Sequence, residues 1–380
     1  MANKRKHIFD LTPEELGEAV TNLGMPRFRA KQVLEWVYAR GVADPQQMTD
    51  LSARDREAFA EHFDFVMGGV LRHERATDGT QKLLVDWAVQ TGEPIAAQHN
   101  TAGAGLNVLN NTVGGGVETQ TECVMIPAKS ETSGKARKTA CVSSQVGCPV
   151  GCKFCASGLS GLDGNLSAGQ IVQQVWQLAQ LPGVGRISNV VFMGMGEPMS
   201  NFPRVVKAAQ TMMADWGLGI SGRKITISTV GVPGPIKRLA DLDLPVTLAI
   251  SLHAPNDDIR RQIIPWAERV TVDELIDAGR YYFEKTGREV TLEYILLSGV
   301  NDQVEHAREL AEVSRKLRSN INLIRYNEVA GLPFVRPQNK DVHRFQQVLR
   351  DAGRVVHLRA SRGRDIAAAC GQLRHEHGAA

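Results

Sequence analysis

Apolar residues recur along the chain with more than one period, and the changes of period divide it. In the first 75 residues the spacing is helical. Val33, Leu34, Val37 and Tyr38 follow the i, i+1, i+4, i+5 pattern of an amphipathic helix. Thr12-Pro13-Glu14-Glu15 reads as a helix start, with a capping hydroxyl, proline at the first position and acids in the first turn. A third helix is expected from about Ser52 to Phe63. Residues 1–75 are therefore expected to form a small helical accessory domain.

Residues 76–133 differ in character. Lys82–Trp87 and Cys123–Ile126 read as strands of a β-hairpin and linker. Between them, residues 91–117 are rich in Gly, Asn, Thr and Ala, as in an exposed loop or a pair of weak strands. Lys129–Lys138 reads as a second polar loop.

Over 134–365 short apolar runs alternate with helical patterns. Strands are expected at Ile187–Met193, Lys224–Ser228, Val246–Ile250, Val290–Leu296 and Asn320–Tyr326. Helices are expected after Ser167 (Ile171, Val172, Val175, Leu178), over about 202–214, 272–284 and 302–317, and at Phe345–Ala352. Strands separated by helices of this length imply βαβ units and a parallel sheet. About six such units fit, so the fold class is α/β, a partial (βα)6 barrel. Residues 366–380 form a separate C-terminal segment.

Composition changes the picture only by exclusion. The chain has 380 residues, 43% hydrophobic and 22% charged, which argues against extensive disorder. With no run of about 18 apolar residues, a membrane span is not expected. The N-terminus lacks the apolar core of a secretory signal, so the expected location is the cytoplasm. The net charge of +3, from 44 basic and 41 acidic residues, neither requires nor excludes a nucleic-acid partner. Arg27, Arg29, Lys31 and Arg40 mark the N-terminal part as a solvated helix face or an RNA contact. Six cysteines are too few for a disulfide-stapled fold.

Three of the six lie within eight residues, in Cys148-Pro-Val-Gly-Cys152-Lys-Phe-Cys155. Thiolates favour iron–sulfur clusters or zinc, and either normally takes four protein ligands. Three on a four-iron cluster leave one iron open to a small-molecule chelate. A zinc knuckle completed by Cys141, Cys370 or a histidine, and a simple electron-carrying cluster, are the alternatives at this point. Downstream, Gly194-Met-Gly196-Glu197-Pro198 follows a strand, and its glycines let backbone approach a ligand. Ser228, Ser251-Leu252-His253 and Asn327 fall at the ends of other strands, where sites form in α/β barrels.

The cysteine spacing, with an aromatic residue before the third cysteine, resembles the radical S-adenosylmethionine (SAM) superfamily. The runs Cys141-Val-Ser-Ser-Gln-Val-Gly-Cys148, Ser188-Asn-Val-Val-Phe-Met-Gly-Met-Gly-Glu-Pro198 and Arg362-Gly-Arg-Asp-Ile-Ala-Ala-Ala-Cys370-Gly-Gln-Leu are similar to the RlmN/Cfr family of RNA adenine methyltransferases. The RlmN branch, dual-specificity enzymes acting at adenine C2 of 23S rRNA and tRNA, is the nearer likeness. The resemblance spans roughly residues 8–373. The stretch between Trp87 and Glu122 is longer than the family pattern.

The resemblance implies a 4Fe–4S cluster on Cys148, Cys152 and Cys155. It implies SAM, two molecules per turnover, bound by Gly196, Glu197, Ser228, Ser251, Leu252, His253 and Asn327. It also implies a radical mechanism. Cys370 carries a methyl carbon that is joined to C2, Glu122 accepts the C2 proton, and Cys141 forms a transient disulfide with Cys370 to release the base. Cys123 has no role in the family and is expected to be a buried thiol; Glu118 is a competitor of Glu122. Implied partners are 23S rRNA, tRNA and an electron donor such as flavodoxin or ferredoxin, acting on a monomer. Arg223, Arg260, Arg261 and the 337–380 tail are candidate RNA contacts. Two other functions remain open: the C8-specific Cfr-like sister activity, and a non-catalytic zinc-stabilised RNA-binding protein.

Overall fold

The computed structural model describes residues 5–90, 119–129, 136–159 and 161–373. Most of the expected 91–117 loop flank, including all of 91–117 itself, lies outside the described residues, as do Glu118 and 374–380. The N-terminal part holds three helices, α1 (Pro13–Asn22), α2 (Arg29–Tyr38) and α3 (Ala53–His62). Thr12 and Glu15 cap α1 reciprocally, as its sequence requires. Two short strands, β1 (Lys6–His7) and β2 (Phe63–Asp64), pair beside these helices.

The expected helical character does not extend to residue 75. Met67–Arg75 is a strand, β3, paired antiparallel with β4 (Gln81–Gln90). β4 pairs with β5 (Gln120–Lys129), and β5 with β6 (Ala136–Cys141). Lys129 and Ala136–Lys138, expected in a loop, thus belong to strands, and residues 130–135 between them lie outside the described residues. Polar side chains misled here because antiparallel neighbours satisfy the backbone whatever the side chains are.

From β6 the sheet is parallel. After the small hairpin β7 (Gln145–Gly147) and β8 (Leu162–Asn165), the order is α4 (Ala168–Ala179), β9 (Asn189–Phe192), α5 (Phe202–Met213), β10 (Ile225–Thr229) and α6 (Pro233–Asp241). Then come β11 (Thr247–Ser251), α7 (Asp257–Ile263), α8 (Val272–Thr286), β12 (Val290–Leu296), α9 (Val304–Arg315), β13 (Ser319–Arg325), α10 (Asn339–Asp351) and β14 (Val356–Arg359). The strand order β6-β9-β10-β11-β12-β13-β14 follows the chain, and each neighbouring pair is parallel. A sheet wound in one direction, without the reversal of a doubly wound sheet, curls into a barrel. The six crossovers make the partial (βα)6 barrel expected. β14 is an additional, short and half-exposed seventh strand, and α10 begins six residues before the expected helix.

The N-terminal helices dock on α4. Phe9 meets Trp176 edge-on at 5.8 Å, Trp176 Nε1 donates to the Val37 carbonyl at 2.9 Å, and Asp10 accepts from the Gly169 amide. Ile8, Leu16, Val33 and Leu34 share one core with Ile171, Val172 and the barrel strands. A second apolar cluster, with Val150, Phe154, Ile263, Ile295 and Tyr326, lies against Cys148, Cys152, Cys155 and Cys370. Among the described residues no helix is long and apolar enough to cross a membrane.

Candidate active site

One cavity lies at the C-terminal ends of the parallel strands, the end where α/β barrels place their sites. Cys148, Cys152 and Cys155 form one wall, from the loop after β7. Gly194, Gly196 and Glu197 follow β9; Ser228 ends β10; Ser251 ends β11 and His253 follows it. Glu293 of β12, Arg359 of β14 and Cys370 complete the site.

The cysteine loop is held by its own backbone and by the C-terminal segment. The Cys155 amide donates to the Cys152 carbonyl at 3.1 Å, and the Cys148 amide to Gly161 at 2.6 Å. Phe154 packs edge-on against His253 at 5.2 Å. Burial pushes the Cys148 thiol up to about 12 and raises those of Cys152 and Cys155. Ligation must therefore displace protons.

Gly196, at φ +100°, touches the 144–145 segment. A Cβ there would stand 2.6 Å from the Gln145 Cβ and 2.8 Å from its amide nitrogen. The close approach lets Gln145 accept from the Glu197 amide at 2.7 Å. The buried Glu197 carboxylate accepts from the amides of Met199 (2.9 Å) and Val230 (2.8 Å). Burial raises its proton affinity, and these amides oppose the effect.

His253 has a left-handed backbone, φ +59°, and is buried. Its Nδ1 accepts from the Ile295 amide at 3.1 Å, and its carbonyl accepts from Asn301 at 2.7 Å. Burial, reinforced by Arg260, lowers its pKa to about 3, so the ring is neutral with its proton on Nε2. Strain of this kind in a non-glycine residue is concentrated at functional sites.

Two expected SAM contacts do not line the cavity. Leu252 follows Ser251 and points the other way, into the main core, while its carbonyl accepts from Arg260 Nε at 3.2 Å. Asn327 lies past the end of β13 and donates from Nδ2 to the Cys370 carbonyl at 3.2 Å, so it holds the C-terminal segment. Arg260, expected among the RNA contacts, is fully buried and donates to the carbonyls of Leu252, Val270 and Val230. Arg223 is exposed and Arg261 half-buried.

The segment carrying Cys370 is fastened at both ends. Near its start, Gly363 donates to Asp78 at 3.1 Å, and Asp365 accepts from the Thr77 amide at 2.9 Å, both in the β3–β4 turn. Near its end, Ala156 donates to the Gly371 carbonyl at 2.8 Å and Ser157 to Leu373 at 2.6 Å. The segment thus bridges the hairpin and the cysteine loop, with Cys370 on the cavity wall. Cys141 is not on that wall. It is buried behind it with Val124, Met195 and Ala368, and is near enough for the two sulfurs to interact electrostatically. Burial, aided by Cys370, pushes Cys141 up to about 12, and Arg359 opposes this. Glu122 also lies off the cavity wall, paired with Lys82 at 2.7 Å. Cys123 is fully buried, as expected.

Two cavity residues were not anticipated. Arg359 is held in its charged form chiefly by Cys370, with Glu293 and Cys141 adding to the effect. Glu293 accepts from Asn322 at 3.0 Å through Oε1, while its buried Oε2 has no hydrogen-bond partner among the described residues. A lone carboxylate inside the apolar run Val290–Leu296 is a signal that could have found it.

The Radical SAM superfamily matches residues 142–311, and the ribosomal RNA large subunit methyltransferase N-terminal domain matches residues 6–64. A probable dual-specificity RNA methyltransferase RlmN of Rhodopirellula baltica is 39% identical over 99% of this chain and 92% of its own length. The chain belongs to the RlmN family. Its counterpart in Gloeobacter violaceus is 43% identical over 95% of this chain and 93% of its own length. The crystal structure of a radical SAM methyltransferase from Sphaerobacter thermophilus superposes with a TM-score of 0.85 at 38% identity, covering 98% of this chain and all of that one.

As an RlmN-family protein the chain is a radical-SAM methyltransferase whose cofactors are a 4Fe–4S cluster and SAM. The residues present fit both. Among the described residues, no group of three His, Cys, Asp or Glu side chains is gathered tightly enough to hold one metal ion. A four-iron cluster instead binds each cysteine to a different iron, which suits three thiols spread along one wall. Beyond them lie Gly194 and Gly196, the Ser228 and Ser251 hydroxyls 3.4 Å apart, and the Glu293 carboxylate, whose Oε2 accepts no hydrogen bond from the described residues. These are glycine surface and polar points for a small polar cofactor. Family membership thus replaces the zinc reading.

Proposed function

We propose that this chain methylates C2 of an adenine in 23S rRNA and in tRNA anticodon loops, with Cys370 as the carrier of the new carbon. The observation that carries the reading is the fastening of the Cys370 segment to the cysteine loop. Gly371 and Leu373 accept from Ala156 and Ser157, which puts Cys370 on the same cavity wall as the three cysteines. The relatives' names, dual-specificity RNA methyltransferases, supply the substrate class. Adenine C2 has no lone pair with which to attack a methyl sulfonium, so carbon must arrive as a radical. The bound cluster and SAM supply a methyl group and a 5′-deoxyadenosyl radical.

The chain's own residues do the rest. Glu197, Gly196, Ser228, Ser251 and His253 hold SAM along the strand ends, and Cys148, Cys152 and Cys155 hold the cluster. Cys370 accepts the methyl on its sulfur. Once that methyl has given up a hydrogen atom, its carbon bonds to C2 and joins protein to RNA. Glu122 takes the C2 proton. The joined radical gives up one electron, for which the cluster, when bound, would be the acceptor; Cys141 then attacks the Cys370 sulfur, forming the S–S bond as the C–S bond breaks, and the released carbon takes up a proton to become the methyl group. The disulfide is transient and is reopened by reductant. Arg359 opposes the rise that burial imposes on Cys141 and so favours its thiolate. The target base must leave its stack to reach this wall. We further propose that the protein acts as a monomer in the cytoplasm, with a flavodoxin or ferredoxin as electron donor.

The test is mass spectrometry of RNA nucleosides from a deletion strain and its complement. The expected result is 2-methyladenosine in both rRNA and tRNA, lost on deletion and restored by the gene. Its replacement by 8-methyladenosine, or unchanged nucleosides, would overturn the reading.

A further inference from the structure

Lys82 is the one charged residue in the first half of an otherwise apolar run, Lys82-Leu-Leu-Val, and it is buried. Buried lysines are rare unless paired. Its ammonium lies 2.7 Å from a Glu122 oxygen and 3.1 Å from Glu74. Exposure of the side chains rises outward along this path, from 5% at Glu122 through 8% at Lys82 to 32% at Glu74.

Strand register puts the path beside the proposed chemistry. Glu74 pairs with Lys82, Lys82 with Val124, and Val124 with Cys141, so the four share one face across β3, β4, β5 and β6. Glu122, two residues before Val124, lies on the same face. Val124 and Cys141 pack with Ala368 of the C-terminal segment. The opposite face, with Leu83, Val85 and Cys123, belongs to the main core.

We propose that Lys82 is a positioning residue for Glu122. It keeps that carboxylate ionised and fixed toward the Cys370 segment, and Glu74 holds the lysine from the solvent side. The proposal rests on Glu122 being the proton acceptor. A carboxyl buried without a cation is driven to its acid form, which cannot take a proton. A buried ion pair adds little stability over apolar packing. Burying a lysine between Glu122 and Glu74 therefore needs a different benefit, and a ready base provides it. When the C2 proton arrives, Glu122 becomes the neutral acid and Lys82 retains its charge, now balanced by Glu74.

The experiment uses full-length protein with reconstituted cluster, SAM, reductant and RNA, comparing wild type with Lys82→Met, Lys82→Arg and Glu122→Gln. The first readout is the fraction of protein trapped as a covalent RNA adduct on a denaturing gel. The second is the infrared carboxyl band of Glu122 in protein without cofactors, isolated by subtracting the matching Glu122→Gln spectrum. Lys82→Met is expected to convert Glu122 to its acid band and to raise the adduct about tenfold or more, and Lys82→Arg to restore both. If Lys82→Met melts early, Lys82→Gln takes its place.

Wild-type adduct levels together with an ionised Glu122 in the lysine variant would overturn the proposal. If Glu122→Gln itself traps no adduct, the assignment of the base is what fails. The infrared band then still decides whether Lys82 controls the carboxyl.

Discussion

Asn327 holds Cys370 by its backbone: the amide Nδ2 donates to the Cys370 carbonyl at 3.2 Å while Oδ1 accepts from Arg336 at 2.9 Å. The contact joins the chain just past β13 to the segment carrying the reactive sulfur, 43 residues away. Arg336 also donates to the Tyr326 carbonyl, so the amide is fixed in orientation. Removing a buried donor costs about 1–3 kcal/mol. Asn327→Ala should loosen the segment locally. The Cys370 thiol should react with a neutral maleimide several times faster, and methylation should fall roughly tenfold. An unchanged labelling rate would show that the amide does not restrain Cys370.

The two cysteines behind and on the cavity wall should fail differently. Cys370→Ala removes the proposed carbon carrier, so neither methylated RNA nor a covalent adduct should form. Cys141→Ala removes the group proposed to free the base, so the adduct should accumulate while product disappears. Burial places the Cys141 pKa at about 12, so its thiolate fraction grows about tenfold per pH unit through the neutral range. Adduct breakdown in the wild-type enzyme should therefore accelerate between pH 7 and 9. Identical gels for the two variants would remove the distinction drawn between them.

How much of this was legible beforehand follows from what side chains report. β10, β11 and β12 were visible because buried parallel strands are apolar on both faces and lie between helical patterns. β14 and β3 were hidden because half-exposed strands carry charges such as Arg359, Arg72 and Glu74. The cysteine loop is marked by its spacing, and Glu197 by the resemblance of Gly194-Met-Gly196-Glu197-Pro198 to the family motif, since alone it reads as a glycine turn. The side chain of Leu252 turns into the core rather than toward the cavity, because motifs give chain positions, whereas alternation along a strand gives direction, and the residue after Ser251 faces away. Asn327, two residues past β13, reaches the carbonyl of Cys370 instead of lining the cavity, a contact across 43 residues that the sequence does not display. Arg260 illustrates the limit of charge counting, since a guanidinium surrounded by three carbonyls reads in sequence like any surface arginine.

His253 sets an acid limit on stability. Its pKa falls from 6.5 to about 3 on folding because burial disfavours the charged ring. Above pH 6.5 neither state binds the proton and the native fold has its full stability. As pH falls from 6.5 toward 3, the unfolded chain binds a proton that the native chain refuses, and stability drops by about 1.4 kcal/mol per pH unit from this group. Below pH 3 both states are protonated and the loss levels off. Asn is the natural replacement, because it tolerates a left-handed backbone. His253→Asn should flatten urea-derived stability between pH 6 and 4 relative to wild type. An equal slope in both proteins would locate the acid sensitivity elsewhere.

Gly196 should be intolerant of even one methyl group, for two separable reasons. Its φ of +100° is a region L-residues rarely adopt, and the new Cβ would stand 2.6 Å from the Gln145 Cβ and 2.8 Å from its nitrogen. The latter is backbone of the strand β7 and cannot swing aside. Relief would require the turn after β9 to move away from Gln145. That would break the bond from the Glu197 amide and shift a carboxylate now held by Met199 and Val230. Strain and overpacking together predict a loss of about 2–4 kcal/mol for Gly196→Ala. It should appear as a lower urea midpoint at unchanged slope, with weaker SAM binding by calorimetry. A companion Gly234→Ala, at a helical position with open space around it, should leave both measurements unchanged, which separates the demand of the site from a general penalty for removing glycine.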